Sequence, residues 1–202
     1  MRFRTMLIAA LISLGGDVAG LEAFAQPAAG APQWGMPALM QAMAEVRAQT
    51  AKFVERKYMS VLTQPLEASG TLVYLAPDKL QKDTLQPKPQ RLVVERDKLT
   101  IEDGSQDRSR TLSLADYPQI GAIVESIRAT LAGDQKTLEQ FYSVALGGSA
   151  AGWQLLLTPR DRKVQEMVKS IRIAGHDALI DEVETQEANG DRTDMTIVKE
   201  GK

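Results

Sequence analysis

The sequence lacks cysteine entirely and contains a single histidine among its 202 residues. Without cysteine no disulfide can form, so the fold must be stabilised by packing alone. The same absence excludes zinc sites built from cysteine and histidine, and we expect no cofactor. Basic residues are not in excess, since the sequence has 24 Lys and Arg against 26 Asp and Glu, which gives a formal net charge of −2. This balance argues against a nucleic-acid partner, which would require a basic surface.

Long apolar runs are also missing, apart from a short one at the N-terminus. Arg2 and Arg4 precede the mostly apolar residues 6–14, and small residues continue to Ala25. The run is too short for a membrane-spanning helix, which needs roughly 20 residues. A basic start, a short apolar segment and an A-x-A end predict a cleavable signal peptide over residues 1–25, and therefore secretion. The alternative is a buried N-terminal helix.

The rest of the chain divides into a linker and one domain. Residues 26–37 are rich in Pro, Ala and Gly and predict a flexible linker, which leaves residues 38–200 as a single domain. Pro37 suits the first position of a helix, and apolar residues at spacings of three and four continue that helix to about residue 52. The residues of this stripe are Leu39, Met43, Val46, Thr50 and Phe53.

Beyond this helix the pattern changes to the period of two that is typical of strands. The predicted strands cover residues 53–62, 68–76, 80–85, 90–96, 98–102, 109–114, 141–146, 152–158, 166–174, 178–187 and 192–198. Turn signals separate them, the strongest being the Asn-Gly pair at 189–190. One helical block, residues 115–131, interrupts the strands and ends at Gly133, and Asp134 begins a short helix that leads to Phe141.

Sequential hairpins without long crossovers predict a mainly β (α+β) fold with one curved antiparallel sheet. A sheet of about eleven twisted strands curls, and a barrel of that size is too wide for its own side chains to fill. We therefore predict an open or incomplete barrel, with helices lidding the concave face above an apolar cavity. The residues predicted to line the cavity and lid are Met43, Val46, Leu72, Tyr74, Val94, Ile123, Ile127, Trp153, Leu155 and Leu157. The alternative is that these residues form an ordinary packed core.

Several short passages along the domain occur in a recognisable order. They are residues 52–57 (Lys-Phe-Val-Glu-Arg-Lys), 65–74 (Pro-Leu-Glu-Ala-Ser-Gly-Thr-Leu-Val-Tyr), 76–80 (Ala-Pro-Asp-Lys-Leu), 91–96 (Arg-Leu-Val-Val-Glu-Arg), 153–159 (Trp-Gln-Leu-Leu-Leu-Thr-Pro), 171–175 (Ile-Arg-Ile-Ala-Gly) and 189–193 (Asn-Gly-Asp-Arg-Thr). In number and order they resemble the periplasmic outer-membrane lipoprotein carriers of the LolA type, especially a divergent LolA-like branch. The resemblance extends over residues 38–198.

The resemblance implies a periplasmic protein that binds acyl chains of a lipoprotein or lipid in an apolar cavity and shuttles them between the inner and outer membranes. The implied partners are the acylated cargo, an inner-membrane exporter and an outer-membrane acceptor, and we expect a monomer. The sequence departs from the family at Ala76, where the better-known carriers place an arginine that holds the lid. We also hypothesise that Met36, Met40 and Met43 adapt the lid to variable chains, because thioether side chains are flexible. The alternative is that these methionines simply pack against the sheet.

A second possibility is a non-catalytic periplasmic interaction module. Such a module would dock an exporter or an outer-membrane assembly through its sheet edge or a helix face.

Catalytic motifs are weak, and we expect no enzyme. Residues 147–151 (Gly-Gly-Ser-Ala-Ala) depart from the G-x-S-x-G elbow at Ala151, and both flanks predict strands, so a hairpin loop is the better interpretation. His176 lies in a sequence typical of a turn, and no nucleophile that it could activate is evident near it in the sequence. The acidic residues Glu182, Glu184 and Glu187 have the spacing of an ordinary solvated strand surface.

Overall fold

The computed structural model describes residues 34–104 and 108–199. The predicted signal peptide (residues 1–25) and the larger part of the predicted linker (residues 26–33) lie outside this part. The helices are α1 (Met36–Ala44), α2 (Pro118–Ala132), α3 (Gln135–Phe141) and α4 (Arg162–Gln165), with a 3-10 turn at Leu114–Asp116. The strands are β1 (Ala48–Tyr58), β2 (Leu66–Leu75), β3 (Lys79–Gln86), β4 (Gln90–Glu95), β5 (Lys98–Asp103), β6 (Arg108–Ser113), β7 (Tyr142–Ser149), β8 (Gly152–Pro159), β9 (Val168–His176), β10 (Leu179–Glu187) and β11 (Arg192–Lys199).

All eleven strands belong to one antiparallel sheet, with the order β6-β5-β4-β3-β2-β1-β11-β10-β9-β8-β7. Neighbours in the sheet are mostly neighbours in sequence, as expected for hairpins with short turns. β1 pairs with β11 in the middle, and β6 and β7 form the two edges. The sheet is therefore not closed into a barrel. The predicted open antiparallel sheet is confirmed, and full closure, which the strand number alone would also allow, is not found.

The predicted N-terminal helix is too long. α1 ends at Ala44, and residues 48–52 belong to β1 instead of the helix. Ala51 and Phe53 are both buried on one face of β1, as expected for the two-residue period of a strand. The sequence spacing from Met43 to Phe53 also fits one face of a helix. The strand forms because β1 pairs with β2 from Ala48 onward and with β11 from Ala51 onward. Such distant pairing overrides a local pattern that fits either structure.

The ends of α2 and α3 follow the predicted chemistry. Gly133 terminates α2 with a left-handed φ of 67°, a conformation that glycine adopts without a steric penalty. Asp134 caps α3, because its side chain accepts a hydrogen bond from the backbone N–H of Thr137 at 3.0 Å. The third cap, Asp161 at the start of α4, accepts from the N–H groups of Lys163 and Val164. The predicted helices after β6 are thus confirmed, and α4 is an addition.

Two apolar clusters lie between the sheet and its helices. The larger one joins α1, α2 and α3 to β7–β10, and Trp34 packs against it just before α1. Its buried members are Leu39, Met40, Met43, Ala129, Leu138, Tyr142, Trp153, Leu155, Leu157, Val168, Ile171, Ile173 and Ile180. The smaller cluster joins Ile120 and Val124 of α2 to buried Val94 and Leu99 on the other half of the sheet. α2 therefore spans both halves of the sheet.

Candidate functional site

The face of the sheet beneath the helices, called the inner face here, is made of alternate residues from each strand. On β8, Trp153, Leu155 and Leu157 are at most 2% exposed, while the residues between them are exposed. This strict alternation places the apolar set of β8 against the helices. It also fixes the inward residues of the other strands through the cross-strand pairs.

One row of cross-strand partners crosses the inner face from β8 to β2. Its members are Leu157, Ile171, Thr185, Thr193, Lys57 and Leu66. Partners directly opposite each other in an antiparallel sheet share a face, so the row is apolar at its ends and polar in the middle. The inner face is therefore not uniformly apolar, because β10, β11 and β1 contribute polar side chains to it.

A cavity of about 420 Å³ lies beside this polar stretch. It is lined by Lys57, Ile123, Glu166, Met167, Val168, Thr185, Glu187 and Asn189. The lining comes from β1, β9 and β10 of the sheet, from α2, and from the connections next to α4 and β11. Its volume falls within the range of about 300–1,000 Å³ that is usual for small-molecule sites. Ile123, Met167 and Val168 supply apolar wall, and the polar lining lies mainly on the β1 and β10 side.

Two ion pairs mark the polar part of the inner face. Lys57 Nζ donates to Glu187 Oε1 at 2.7 Å, and both residues line the cavity. Lys82 Nζ donates to Glu55 Oε2 at 2.6 Å and also lies 4.9 Å from the ring centroid of Phe53. Because each charge meets an opposite charge, the inner face can hold these polar groups next to apolar clusters.

The ten residues predicted for the cavity and lid occupy three environments. Met43, Trp153, Leu155 and Leu157 are buried in the larger cluster, and Ile123 and Ile127 are half-buried against it. Val94 is buried in the smaller cluster. The remaining three are Tyr74, buried on β2, with Leu72 and Val46 half-buried. The structure thus brings six of the ten together, and of these only Ile123 lines the 420 Å³ cavity.

A second recess of about 580 Å³ lies at the β7–β8 hairpin, beside the edge of the sheet. It is lined by Ala145, Leu146, Gly147, Gly148, Gly152, Trp153, Gln154 and Leu156. Residues from both faces of the hairpin contribute, so this recess follows the sheet edge and does not lie under the helices.

The motifs judged weak in the sequence occupy structural positions. Ser149 ends β7 and pairs with Gly152, so the Gly-Gly-Ser segment is a hairpin, as predicted. His176 ends β9, and its Nδ1 lies 2.6 Å from Asp181 Oδ2, an interaction that raises the pKa of the imidazole through the hydrogen bond and then the carboxylate charge. Among residues 34–104 and 108–199, no three His, Cys, Asp or Glu side chains converge as a metal site requires.

Most of the cavity lining was missed by reasoning from the sequence. Glu187 was assigned to solvated strand surface together with Glu182 and Glu184, which is wrong for Glu187 because it lines the cavity. Glu182 and Glu184 instead hold Arg172, with Nη2 distances of 2.9 and 2.7 Å. The available signal was the alternation along β10, where Val183, Thr185 and Glu187 share a face. That signal becomes useful only when the inward face is known.

These features define a class of α+β protein in which helices cover one face of an open sheet and leave a partly apolar cavity beneath them. Within this class the chain belongs to the family described as outer membrane lipoprotein carrier protein LolA-like, whose model matches residues 28–199. By that description, members of the family are carrier proteins. The resemblance drawn from the sequence passages is confirmed.

Several solved structures are similar to this one. A LolA superfamily protein from Nitrosomonas europaea has a TM-score of 0.44 and 10% identity, with 81% of this chain and 93% of that chain covered. LprF from Mycobacterium bovis has a TM-score of 0.36 and 9% identity, with 80% and 89% covered. A chain of the Pseudomonas aeruginosa MucA/MucB complex has a TM-score of 0.40 and 15% identity, with 80% of this chain but only 53% of that chain covered. No curated protein matches the sequence at a significant level.

No helix of the described segments combines the length and the apolar character needed to cross a membrane.

Proposed function

We propose that this protein is a periplasmic carrier that binds acyl chains of a lipoprotein or lipid and shuttles them between the inner and outer membranes. The observation that carries the proposal is the 420 Å³ cavity, which Ile123 of α2 and Val168 of β9 line and which through these residues adjoins the larger apolar cluster. Family membership supports it, because the family is described as one of lipoprotein carriers. An exporter and an outer-membrane acceptor would supply and remove the cargo.

The cavity would hold the first part of an acyl chain. Ile123 forms the wall from the α2 side, and Met167 and Val168 form it from the β9 side. Ile127 and Leu131 follow along α2, half-buried against the larger cluster. A chain that goes deeper would displace these side chains, so α2 would lift slightly from the sheet as the ligand enters.

The energy of binding suits a reversible carrier. Burying an acyl chain gains about 0.8 kcal/mol per CH₂, which gives a 16-carbon tail on the order of 10 kcal/mol before costs. Ordering the chain and moving α2 would remove several kcal/mol of this gain. The remainder holds cargo in water and still allows a membrane or an acceptor to take it.

Native mass spectrometry of the gently purified protein tests the proposal. We expect extra mass from bound lipid in the native protein, and loss of that mass in Ile123→Trp, because the larger side chain fills the cavity. Val54→Trp is the matched control, since Val54 lies on β1 and is exposed. A bare mass for the native protein, or lipid retained equally by Ile123→Trp, would contradict the proposal.

The interaction module remains a second candidate, favoured by the recess at the β7 edge. An edge strand offers unpaired backbone groups to which an extended peptide can add as a further strand. Gly147 has open space where a side chain would stand, so a partner backbone could approach closely. Under this function the protein would carry no lipid, and a partner would protect the β7 amides from hydrogen exchange.

A further inference from the structure

The connection between β1 and β2, together with the start of β2, exposes several large apolar side chains. Val61 is 80% exposed, Leu62 is 43% exposed, and Leu66 at the start of β2 is 54% exposed. Single exposed apolar residues are ordinary on protein surfaces, but three within six positions at one end of a sheet form a patch.

This connection is held in a defined position. The backbone N–H of Ser60 donates to Asp191 Oδ1 at 3.1 Å, and the N–H of Leu62 donates to the carbonyl of Met59 at 2.9 Å. Asp191 is itself buried, and Asn189 bonds both its backbone N–H and its carboxylate. The exposure of Val61 and Leu62 is therefore a feature of an ordered loop.

The turn at residues 188–191, which holds this loop, also contributes to the lining of the cavity. The N–H of Ala188 donates to the carbonyl of Met167 at 2.9 Å, and the Met167 side chain is 45% exposed while also lining the cavity. Leu66 pairs across the strands with Lys57, another lining residue. Val61, Leu62, Leu66 and Met167, called the apolar rim below, thus lie at the end of the sheet where the cavity is found.

Positive charge accompanies the apolar rim. Residues 160–169 contain four basic residues and two acidic ones, a local charge of +2 within a chain whose net charge is −2. Arg162, Lys163 and Lys169 are exposed. Of the two acidic residues, Asp161 is engaged with the first N–H groups of α4, and Glu166 is exposed and lines the cavity. Cations beside protruding aliphatic side chains are the combination that anionic membrane surfaces attract.

We propose that the apolar rim and the basic segment at α4 dock this protein on the surface of an anionic lipid bilayer. A bilayer accepts protruding aliphatic side chains without a complementary pocket, and its headgroups lie at the level of the flanking cations. This docking rests on the proposed carrier function for its purpose. It places the cavity mouth against the membrane, so that an acyl chain can pass between them without crossing water.

The absence of cysteine provides a direct test. Val61→Cys creates a single labelling site for an environment-sensitive fluorophore in the chain lacking residues 1–25. Leu75→Cys is the control, because Leu75 is also an exposed aliphatic residue but lies at the other end of β2, about 30 Å along the strand. With phosphatidylethanolamine–phosphatidylglycerol vesicles we expect a blue shift and brighter emission at position 61 alone. No response at 61, or an equal response at 75, would overturn the proposal.

Vesicle co-sedimentation measures the two contributions separately. Val61→Asp with Leu62→Asp should weaken partitioning by at least about tenfold, and Arg162→Ala with Lys163→Ala should weaken it on anionic vesicles by about tenfold. Binding that is unaffected by the aspartates would show that the apolar rim does not enter the bilayer. If the rim instead binds a membrane protein, pure lipid vesicles will not retain the native chain, and the proposal fails.

A fluorescent fatty acid in solution distinguishes failure of docking from failure of the carrier function. We expect the double aspartate variant to bind this probe as the native chain does, while taking it up from vesicles about tenfold more slowly. Vesicle binding by a native chain that cannot bind the probe would overturn the carrier function but not the docking. Probe binding with unchanged uptake from vesicles would overturn the docking but not the carrier function.

Discussion

Two buried tyrosines differ in what their hydroxyl groups meet. Tyr142 at the start of β7 donates to the carbonyl of Ala122 in α2 at 2.9 Å, and burial raises its pKa to about 12. Tyr74 on β2 is also buried and its pKa is raised by burial, but its hydroxyl has no hydrogen-bond partner in the part of the chain that is described. The first hydroxyl ties a helix to the sheet, and the second adds a desolvation cost.

Replacing each tyrosine by phenylalanine should change the free energy of unfolding in different directions. Tyr142→Phe should lower the free energy of unfolding by about 0.5–1.5 kcal/mol, because it removes a buried hydrogen bond. Tyr74→Phe should leave stability unchanged or raise it slightly, since an unsatisfied buried hydroxyl is removed. Urea unfolding of the two variants beside the native protein measures both changes. Equal losses would show that the two hydroxyls have the same surroundings in solution.

His176 offers a pH prediction at the same scale. Its raised pKa arises mainly from the hydrogen bond to Asp181 and then from the charge of that carboxylate. Because the folded pKa lies above the unfolded value, the stabilisation is complete at pH values below the unfolded pKa of about 6.5 and is lost as pH rises through the folded pKa. As the only histidine, His176 gives a single imidazole signal in an NMR titration.

Asp181→Asn should lower that pKa towards 6.5 and remove the associated change of stability with pH. Asp177→Asn is the control, because Asp177 contributes a weaker coulombic effect in the same direction and should give a smaller shift. A titration curve for Asp181→Asn that coincides with the native curve would refute the assigned cause.

Among the elements, the junction of α2 with α1 depends on one glycine. A side-chain carbon at Gly133 would lie 2.0 Å from the carbonyl oxygen of Met40 and 2.9 Å from the Cβ of Ala44, both in α1. α1 therefore packs directly on the end of α2, and no side chain separates them. The close approach and the positive φ both require glycine at this position.

Gly133→Ala should destabilise the protein by about 1–3 kcal/mol or more, because it combines backbone strain with a steric clash. Gly147→Ala is the matched control, since Gly147 lies in a strand with open space around it, and its change should stay within about 0.5 kcal/mol. Thermal and urea unfolding would show the difference. If Gly133→Ala is tolerated as well as Gly147→Ala, α1 does not rest on α2 as described.

The elements also show where the sequence is sufficient for prediction. Gly133 and Asp134 set helix ends through local chemistry, and both ends were predicted correctly. The α1–β1 boundary was not, because Ala51 and Phe53 become strand residues only through pairing with distant segments. α4 was missed because a helix of four residues leaves no periodic pattern, although Asp161 provided a cap signal.

For the molecule as a whole, the strands were predictable and the cavity was not. Alternation and turn residues identify each strand, and sequential hairpins leave little freedom in their order. The cavity depends on which face of β1 and β10 looks inward, so a shift of one residue would remove Lys57 and Thr185 from it. Its lining also includes Ile123 and Met167, whose positions follow from helix packing. Predicting lining residues by apolar character therefore selected mostly members of the two apolar clusters.

The pairing of β1 with β11 has a consequence for how the chain is assembled. β1–β6 and β7–β11 are two separate meanders, and β1 and β11 are the strands that meet where they join. During synthesis the N-terminus leaves the ribosome first. One side of β1 therefore stays unpaired until the eight residues of β11 have been made. An unpaired strand edge is a template for aggregation. Until β11 pairs with β1, the newly made chain therefore exposes a strand edge that the folded protein covers.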